Sequence, residues 1–345
     1  MEVEIKKKLG NFKLEVSFQT EQSSLGILGA SGCGKSMTLK CIAGIALPDE
    51  GRICIDGQVL FDSKAKINIK PQKRKVGYLF QDYALFPNYT TAQNIASGIT
   101  GSKEEQKEIS QELIKRFQLE GLENQYPHQL SGGQQQRTAL ARIIASEPNV
   151  ILLDEPFSAL DNYLREQMHM ETAKILKNYA NSVLVTHSEE EVYKLCSDLL
   201  VMDRGQVIEM GKTRDLFKNP KKMQVAKLTG CKNISPIEQV GDYEVRALHW
   251  GNAVLRTTEP VLPTKRFVGI RAREIVPALG GENMTNVIPV QIISQTETPF
   301  AKQVVCRNTV NLPQQTDLWW KYSKDLFAAP PQFLRLPPEK LLLLE

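Results

Sequence analysis

The chain has 345 residues, 41% apolar and 24% charged, with a formal net charge of +4. That is room for two domains, and too small a basic excess for the concentrated basic face that nucleic-acid binders present. The six cysteines (Cys33, Cys41, Cys54, Cys196, Cys231, Cys306) include no CxxC pair, which argues against a zinc or redox motif and fits a reduced, cytosolic protein. Met1-Glu2-Val3-Glu4 lacks the apolar core of a signal peptide, and no apolar run approaches the ~18 residues needed to span a bilayer. Any membrane role is therefore expected to run through a partner. The basic runs Lys6-Lys7-Lys8 and Lys70 to Lys75 read as solvated surface.

Residues 3–28 alternate as strands, with Gly10-Asn11 and Glu21-Gln22 as turns. Leu25 to Leu28 runs into a glycine loop, and a helix follows from Lys35 to a stop at Gly44, with Pro48 beyond. Arg52 to Ile55, Asp56-Gly57 and Gln58 to Phe61 form a predicted hairpin. Lys75 to Phe80 is a strand ending at Gln81. A helical stretch, about residues 88–135, then interrupts the α/β pattern. Within it Ser102-Lys103-Glu104-Glu105 is a capping box, with Ile109, Leu113 and Phe117 on one helical face. Ser131 opens another helix, with Leu140, Ile143 and Ile144 as its apolar stripe. Val150 to Leu153 is wholly apolar, as in a sheet covered on both faces. A helix is predicted over Arg165–Tyr179, a strand over Ser182–Thr186 and a helix over Glu189–Leu195. Strands over Leu199–Asp203 and Gln206–Glu209 flank Arg204-Gly205. Near Gly230 helical periodicity fades. Short β-like runs follow, over 243–248, 253–256, 267–270, 287–293, 302–306 and 332–336, and they predict a small barrel. The expected domains are thus 1–229 and 230–345.

Gly29-Ala30-Ser31-Gly32-Cys33-Gly34-Lys35-Ser36 matches the GxxxxGK[ST] phosphate loop. Its glycines let backbone N–H groups curl around phosphate oxygens, and the helix behind it adds a favourable dipole. Lys35 is placed to reach the β- and γ-phosphates and Ser36 to ligand Mg²⁺; Met37 follows in the first helical turn. Cys33 is a small filler that bound nucleotide would shield. Asp154 ends an apolar strand, where a carboxylate can hold Mg²⁺. Glu155 is the candidate general base for an attacking water. Leu130-Ser131-Gly132-Gly133-Gln134 makes a second anion site at a helix start. A long helical insert separates it from the first, so the economical arrangement is two copies, Ser131 of one facing the γ-phosphate held by Lys35 of the other. Gln81, Ser158-Ala159-Leu160-Asp161 and His187 carry weight only in that company.

In these segments the chain resembles an ABC transporter ATPase subunit, with a Walker A loop, Q-loop, signature, Walker B, D-loop and H-loop in order over residues 1 to about 230. The resemblance implies an α/β P-loop fold, a RecA-like core plus a helical subdomain. It implies ATP and Mg²⁺ as ligands, with Ser36, Gln81 and Asp154 around the metal. Glu155, His187, Lys35 and Gln81 would serve catalysis, and Ser158 and Asp161 the coupling of two sites. Phe12 stands where family members stack an aromatic on adenine, and equally suits the core. Asp82 to Pro87 is similar to the surface that meets a permease. A narrower resemblance, to molybdate importer ATPases, lies in Leu9-Gly10-Asn11-Phe12 and Thr229-Gly230-Cys231-Lys232-Asn233. It continues in Val268 to Arg271, Asn286 to Pro289 and Leu336 to Glu339, which resemble an OB-like regulatory domain of the TOBE or Mop type. The implied protein is a homodimer on the cytoplasmic face of the membrane. It would drive a separate permease dimer fed by a solute-binding protein, with molybdate as the expected solute and sulfate, tungstate or another solute as alternatives. An oxyanion could sit on the C-terminal domain, where Ser294, Thr296 and Lys302 are possible contacts. Trp319-Trp320 reads as a packing or dimer surface. Two rivals are weaker. A soluble ABC-type ATPase acting on DNA or ribosomes would carry long coiled-coil arms or two ATPase copies, and an oxyanion-storage module would not need the first domain. No Asn-Lys-x-Asp guanine-reading motif supports a GTPase.

Overall fold

The computed structural model describes residues 1–158, 160–177, 179, 181–278, 285–310, 315–324 and 331–345. It divides into two compact units, Met1–Arg214 and Asp215–Glu345. The boundary falls before the position near 230 expected from texture, and the reason is packing. The short helix Met223–Leu228 contributes Met223 and Ala226 to a small apolar cluster with Cys231, Phe267, Leu342 and Leu344. Arg271 also donates from its guanidinium to the carbonyls of Phe217 and Thr229. These helical turns therefore belong to the β-rich second unit.

The first unit is one eleven-stranded sheet with helices. In chain order its elements are β1 (Glu2–Leu9), β2 (Phe12–Gln19), β3 (Ser24–Gly29), α1 (Lys35–Ala43), β4 (Glu50–Ile55), β5 (Gln58–Asp62), β6 (Ile67–Asn68) and β7 (Val76–Leu79). Then come α2 (Thr91–Ala96), α3 (Lys103–Arg116), α4 (Gly132–Ala145), β8 (Val150–Asp154), α5 (Asn162–Leu176), β9 (Ser182–Thr186), α6 (Glu189–Leu195), β10 (Asp198–Asp203) and β11 (Gln206–Lys212). The sheet order is β6-β5-β4-β1-β2-β11-β10-β3-β9-β8-β7. Five neighbours, β10, β3, β9, β8 and β7, run parallel. Every residue of β8 and β9 is buried, as continuous apolar runs in a doubly covered parallel sheet require. Their carboxyl ends share one edge, which is where open α/β sheets place ligands. Register sets Leu28 beside Thr186 and Asp154 beside Val185.

Helix ends follow the capping chemistry. Ser102 with Glu105 and Ser131 with Gln134 form reciprocal capping boxes, satisfying N–H groups that have no partner inside the helix. The helical face of α3 differs from the expected one. Leu113 and Phe117 are buried, but Ile109 points outward, and Ser110 and Ile114 turn inward with Leu113. The predicted helix over 165–179 starts earlier, at Asn162, capped by Asp161, and ends at Leu176; Asn178 lies outside the described residues.

The second unit holds β12 (Asn233–Gly241), β13 (Glu244–Ala247), β14 (Ala253–Arg256), β15 (Phe267–Ile270), β16 (Val276–Ala278), β17 (Val287–Glu297), β18 (Ala301–Asn308), β19 (Leu318–Ser323), β20 (Phe333–Arg335) and β21 (Leu342–Leu344). They form two five-stranded sheets, β14-β13-β12-β15-β21 and β16-β20-β17-β18-β19. One core joins Val245, Trp250, Val268, Ile270, Val304, Trp320 and Leu334. Trp320 is buried and stacks on Tyr322 with ring centroids 4.2 Å apart. Trp319 is turned outward, with the Lys232 ammonium 4.7 Å from its ring centre. Ser294 and Thr296 lie on the exposed part of the β17–β18 hairpin and Lys302 across from Glu297.

Candidate nucleotide site

The phosphate loop joins β3 to α1 at the carboxyl edge of the sheet. Gly34 at the helix start has φ 106, and a Cβ there would lie 2.5 Å from Leu14 Cδ1. At Gly29 a Cβ would lie 2.4 Å from the Met202 carbonyl oxygen. Both positions therefore demand glycine, one by backbone conformation and one by the close approach of β10. Gly205 N–H donates to the Cys33 carbonyl at 3.1 Å, anchoring the loop from behind. Cys33 itself is buried, and burial raises its thiol pKa above the ordinary value, with the nearby Lys35 charge opposing. Ala30, Ser31 and Gly32 are exposed on the outer side of the loop.

Lys35 is buried, and its Nζ donates to the carbonyls of Gly29 (2.8 Å) and Ala30 (3.0 Å). Ser36 Oγ donates to Asp154 Oδ1 at 2.7 Å. Tyr78 OH donates to the other carboxylate oxygen at 2.7 Å. Burial, together with the hydrogen bond to Asp154 and the charge on that carboxylate, holds the Tyr78 phenol protonated far above its ordinary range. The next residue, Glu155, has φ 45, a left-handed turn that lifts its side chain off the strand direction, and its N–H is fixed by the Val185 carbonyl at 2.9 Å. Glu155 Oε2 lies 3.6 Å from His187 Nδ1. A small cavity between them is lined by Glu155, Ser158, Arg165, Thr186, His187 and Glu191 among others.

The remaining predicted residues group unevenly. Phe12 is half-buried beside Gly34 and Gly205 and packs on the core, so it borders the phosphate loop; Met37 also packs on that core. Gln81 sits on an exposed turn two residues beyond β7 rather than on the strand. Ser158 Oγ donates to the Glu155 carbonyl at 3.0 Å, and Asp161 caps α5 through the Leu164 N–H at 2.9 Å. Ala159 lies outside the described residues. Ser131 is the exposed N-cap of α4, and its hydroxyl accepts from the Gln134 N–H at 3.3 Å. Gly132 and Gly133 pack near Leu160 and Leu164, and Leu130 is buried. The signature thus adjoins the D-loop end of α5.

Sequence reasoning missed Tyr78, Thr186 and Glu191. Each carries a polar group in or just behind a buried strand end, and that oddity is the signal that could have found them. Ser36 and Asp154 together suit a hard divalent cation, which takes oxygen ligands and keeps several from phosphate and water. Among the described residues no cluster of three or more His, Cys, Asp or Glu could hold a metal unaided.

Residues 13–158 match the family described as ABC transporter. The chain is 41% identical over 241 residues to a spermidine/putrescine import ATP-binding protein of Clostridioides difficile, covering 69% of this chain and 67% of that protein. It is 39% identical over 235 residues to a probable sulfate/thiosulfate import ATP-binding protein of Chlorella vulgaris, covering 66% of this chain and 97% of the relative. An Fe(3+) ions import ATP-binding protein of Brucella abortus is 33% identical over 332 residues, covering 91% of this chain and 92% of that one. Among solved structures, a dimeric ATP-binding cassette in a post-hydrolysis state bound to ADP and Pi superposes with a TM-score of 0.53 and 29% identity. The match covers 62% of this chain and 98% of that one. Similarity that runs the length of an import ATPase, over a phosphate loop already tied to its acidic strand, has one reading: the chain belongs to the ATP-binding subunits of ABC transporters and is an ATPase of the import kind.

Proposed function

We propose that two copies of this chain close over two ATP molecules and drive a separate membrane permease from the cytoplasmic face. The observation that carries this is the division of labour in the site. Lys35, Ser36, Asp154, Glu155 and His187 meet at one sheet edge, while Ser131 stands exposed at a helix start whose capping box joins it only to Gln134. A partner's phosphate is the natural occupant of that exposed start. The dimeric cassette with ADP and Pi supports the same assembly. Among the described residues no helix is long and apolar enough to cross a membrane, which agrees with a permease supplied by another chain.

In this reading Glu155 accepts the proton of a water as its oxygen bonds to the γ-phosphorus. The bond to the β,γ-bridging oxygen breaks and ADP leaves. Lys35 and the partner copy's Ser131 steady the charge on the transferring phosphoryl group, His187 orients it, and Phe12 flanks the adenine. Ser36 and Asp154 would hold Mg²⁺, with Gln81 reporting on it; the ion supplies charge neutralisation at the β- and γ-oxygens. Replacing Glu155 by Gln is expected to lower turnover by about 10²–10⁴, the usual worth of a general base. Near-normal hydrolysis by the purified variant would contradict the assignment.

For the solute we keep the oxyanion class. The molybdate expectation rests on the motifs of the second unit and has no counterpart in the names of the relatives above. Sulfate/thiosulfate import supports the class, whereas the relative that also aligns with the second unit is named for Fe(3+). Uptake of labelled molybdate, sulfate and ferric ion in a strain lacking the gene separates these. Loss of an oxyanion supports the proposal, and loss of iron alone overturns it.

A further inference from the structure

Directly behind His187 lies a polar layer that the chemistry above does not use. Thr186 Oγ1 donates to Glu191 Oε2 at 2.5 Å and accepts from the Ser188 N–H at 3.0 Å. Ser188 Oγ in turn accepts from the Glu191 N–H at 3.3 Å as the N-cap of α6. Thr186 is therefore tied to the Glu191 carboxylate through its hydroxyl, and Ser188 is tied in turn to that hydroxyl and to the Glu191 backbone. That carboxylate is itself buried, 6% exposed, and its other oxygen lies 3.7 Å from Nε2 of His169, which is 5% exposed. Phe157, two residues beyond Glu155 and fully buried, sets its ring edge-on to His169 with centroids 4.5 Å apart. His187, by contrast, keeps two thirds of its side chain in solvent, 3.6 Å from Glu155.

A carboxylate is costly to bury unless it is bonded. This one is spent on the Thr186 hydroxyl, which in turn holds the Ser188 N–H on the far side of the exposed His187. His169 sits on α5, whose N-cap is Asp161, so the layer also joins the helix behind the D-loop to the turn that carries His187. We infer that Thr186 and Glu191 are positioning residues that fix the backbone of His187 against Glu155 for hydrolysis. The inference rests on the reading of His187 given above. A hydroxyl and a carboxylate suffice because an error of about 1 Å in a catalytic group can cost 10²-fold.

The test is steady-state ATP hydrolysis by full-length T186V, E191A and T186S, each alone and combined with H187A, alongside their melting temperatures. T186V is nearly isosteric and removes only the hydroxyl. T186V and E191A are expected to lower kcat about tenfold or more, with KM for ATP within about twofold because the phosphate loop is untouched. T186S, which restores the donor, is expected to recover most of the loss. In the H187A background neither T186V nor E191A should cost anything further, since residues acting as a unit are non-additive. A kcat unchanged in both single variants overturns the inference. So does a full loss repeated in the H187A background, which would mean that they act elsewhere. If E191A fails to fold, T186V and T186S decide. If H187A alone keeps normal turnover, it is the reading of His187 that fails.

Discussion

The buried amides of the second unit and the buried polar groups at the first unit's phosphate loop serve opposite ends. In the second unit the buried asparagines are spent on backbone. Asn286 donates to the carbonyls of Arg256 and Leu336 and accepts from the Arg256 N–H. Asn233 exchanges a pair of bonds with Trp319, and Asn308 ties the Trp250 carbonyl to the Val310 N–H. At the first unit's phosphate loop Lys35 is equally buried but rests on two loop carbonyls, and the buried Asp154 is held by two hydroxyls at the end of β8. The second unit's buried amides are staples that fix short strands lacking long apolar runs.

The comparison breaks most visibly through Glu155. E155Q should show the 10²–10⁴ loss of turnover given above with its melting temperature nearly unchanged. A variant that loses stability in proportion would place Glu155 among the staples. Asn286→Ala is the converse. It strands the Arg256 N–H and the Leu336 carbonyl, and the expected cost is about 1–3 kcal/mol, read as a lower midpoint in denaturant. KM for ATP should stay put, and a shift in KM would deny that the second unit's polarity is purely structural at this residue. The smallest effect is expected at the exposed Arg246–Glu238 pair, 3.0 Å apart on the second unit's surface. R246A should change stability by no more than ~1 kcal/mol, and a larger loss by denaturant titration would mean that the pair is more than surface decoration.

The motifs of the candidate site were legible because each is local. A glycine loop between an apolar strand and a helix, or Asp-Glu at the end of Val150 to Leu153, announces itself within a few residues. What supports them was not, because support comes across strands. Tyr78 reaches Asp154 only through the parallel pairing of β7 with β8, and Glu191 reaches Thr186 over a helix turn whose direction the sequence does not state. Ile109 was misplaced because a half-polar helix offers two overlapping faces, and burial of Ser110 chose between them. In the second unit β12 and β16 carry Pro236 and Pro277, residues that weaken a strand signal in sequence yet lie in strands here. Leu318–Ser323 and Leu342–Leu344 were too short or too near a loop to stand out.

The central claim is that one chain's lysine-bearing loop and another chain's Ser131 share each ATP. Its most direct measurement is the solution mass of E155Q with ATP and Mg²⁺, by light scattering after gel filtration, with and without the further change S131R. The account predicts a two-chain mass for E155Q that reverts to one chain in E155Q/S131R, while ATP affinity stays within about threefold because Ser131 is no part of its own chain's loop. A dimer that survives S131R, or an E155Q chain that binds ATP and never pairs, would contradict it.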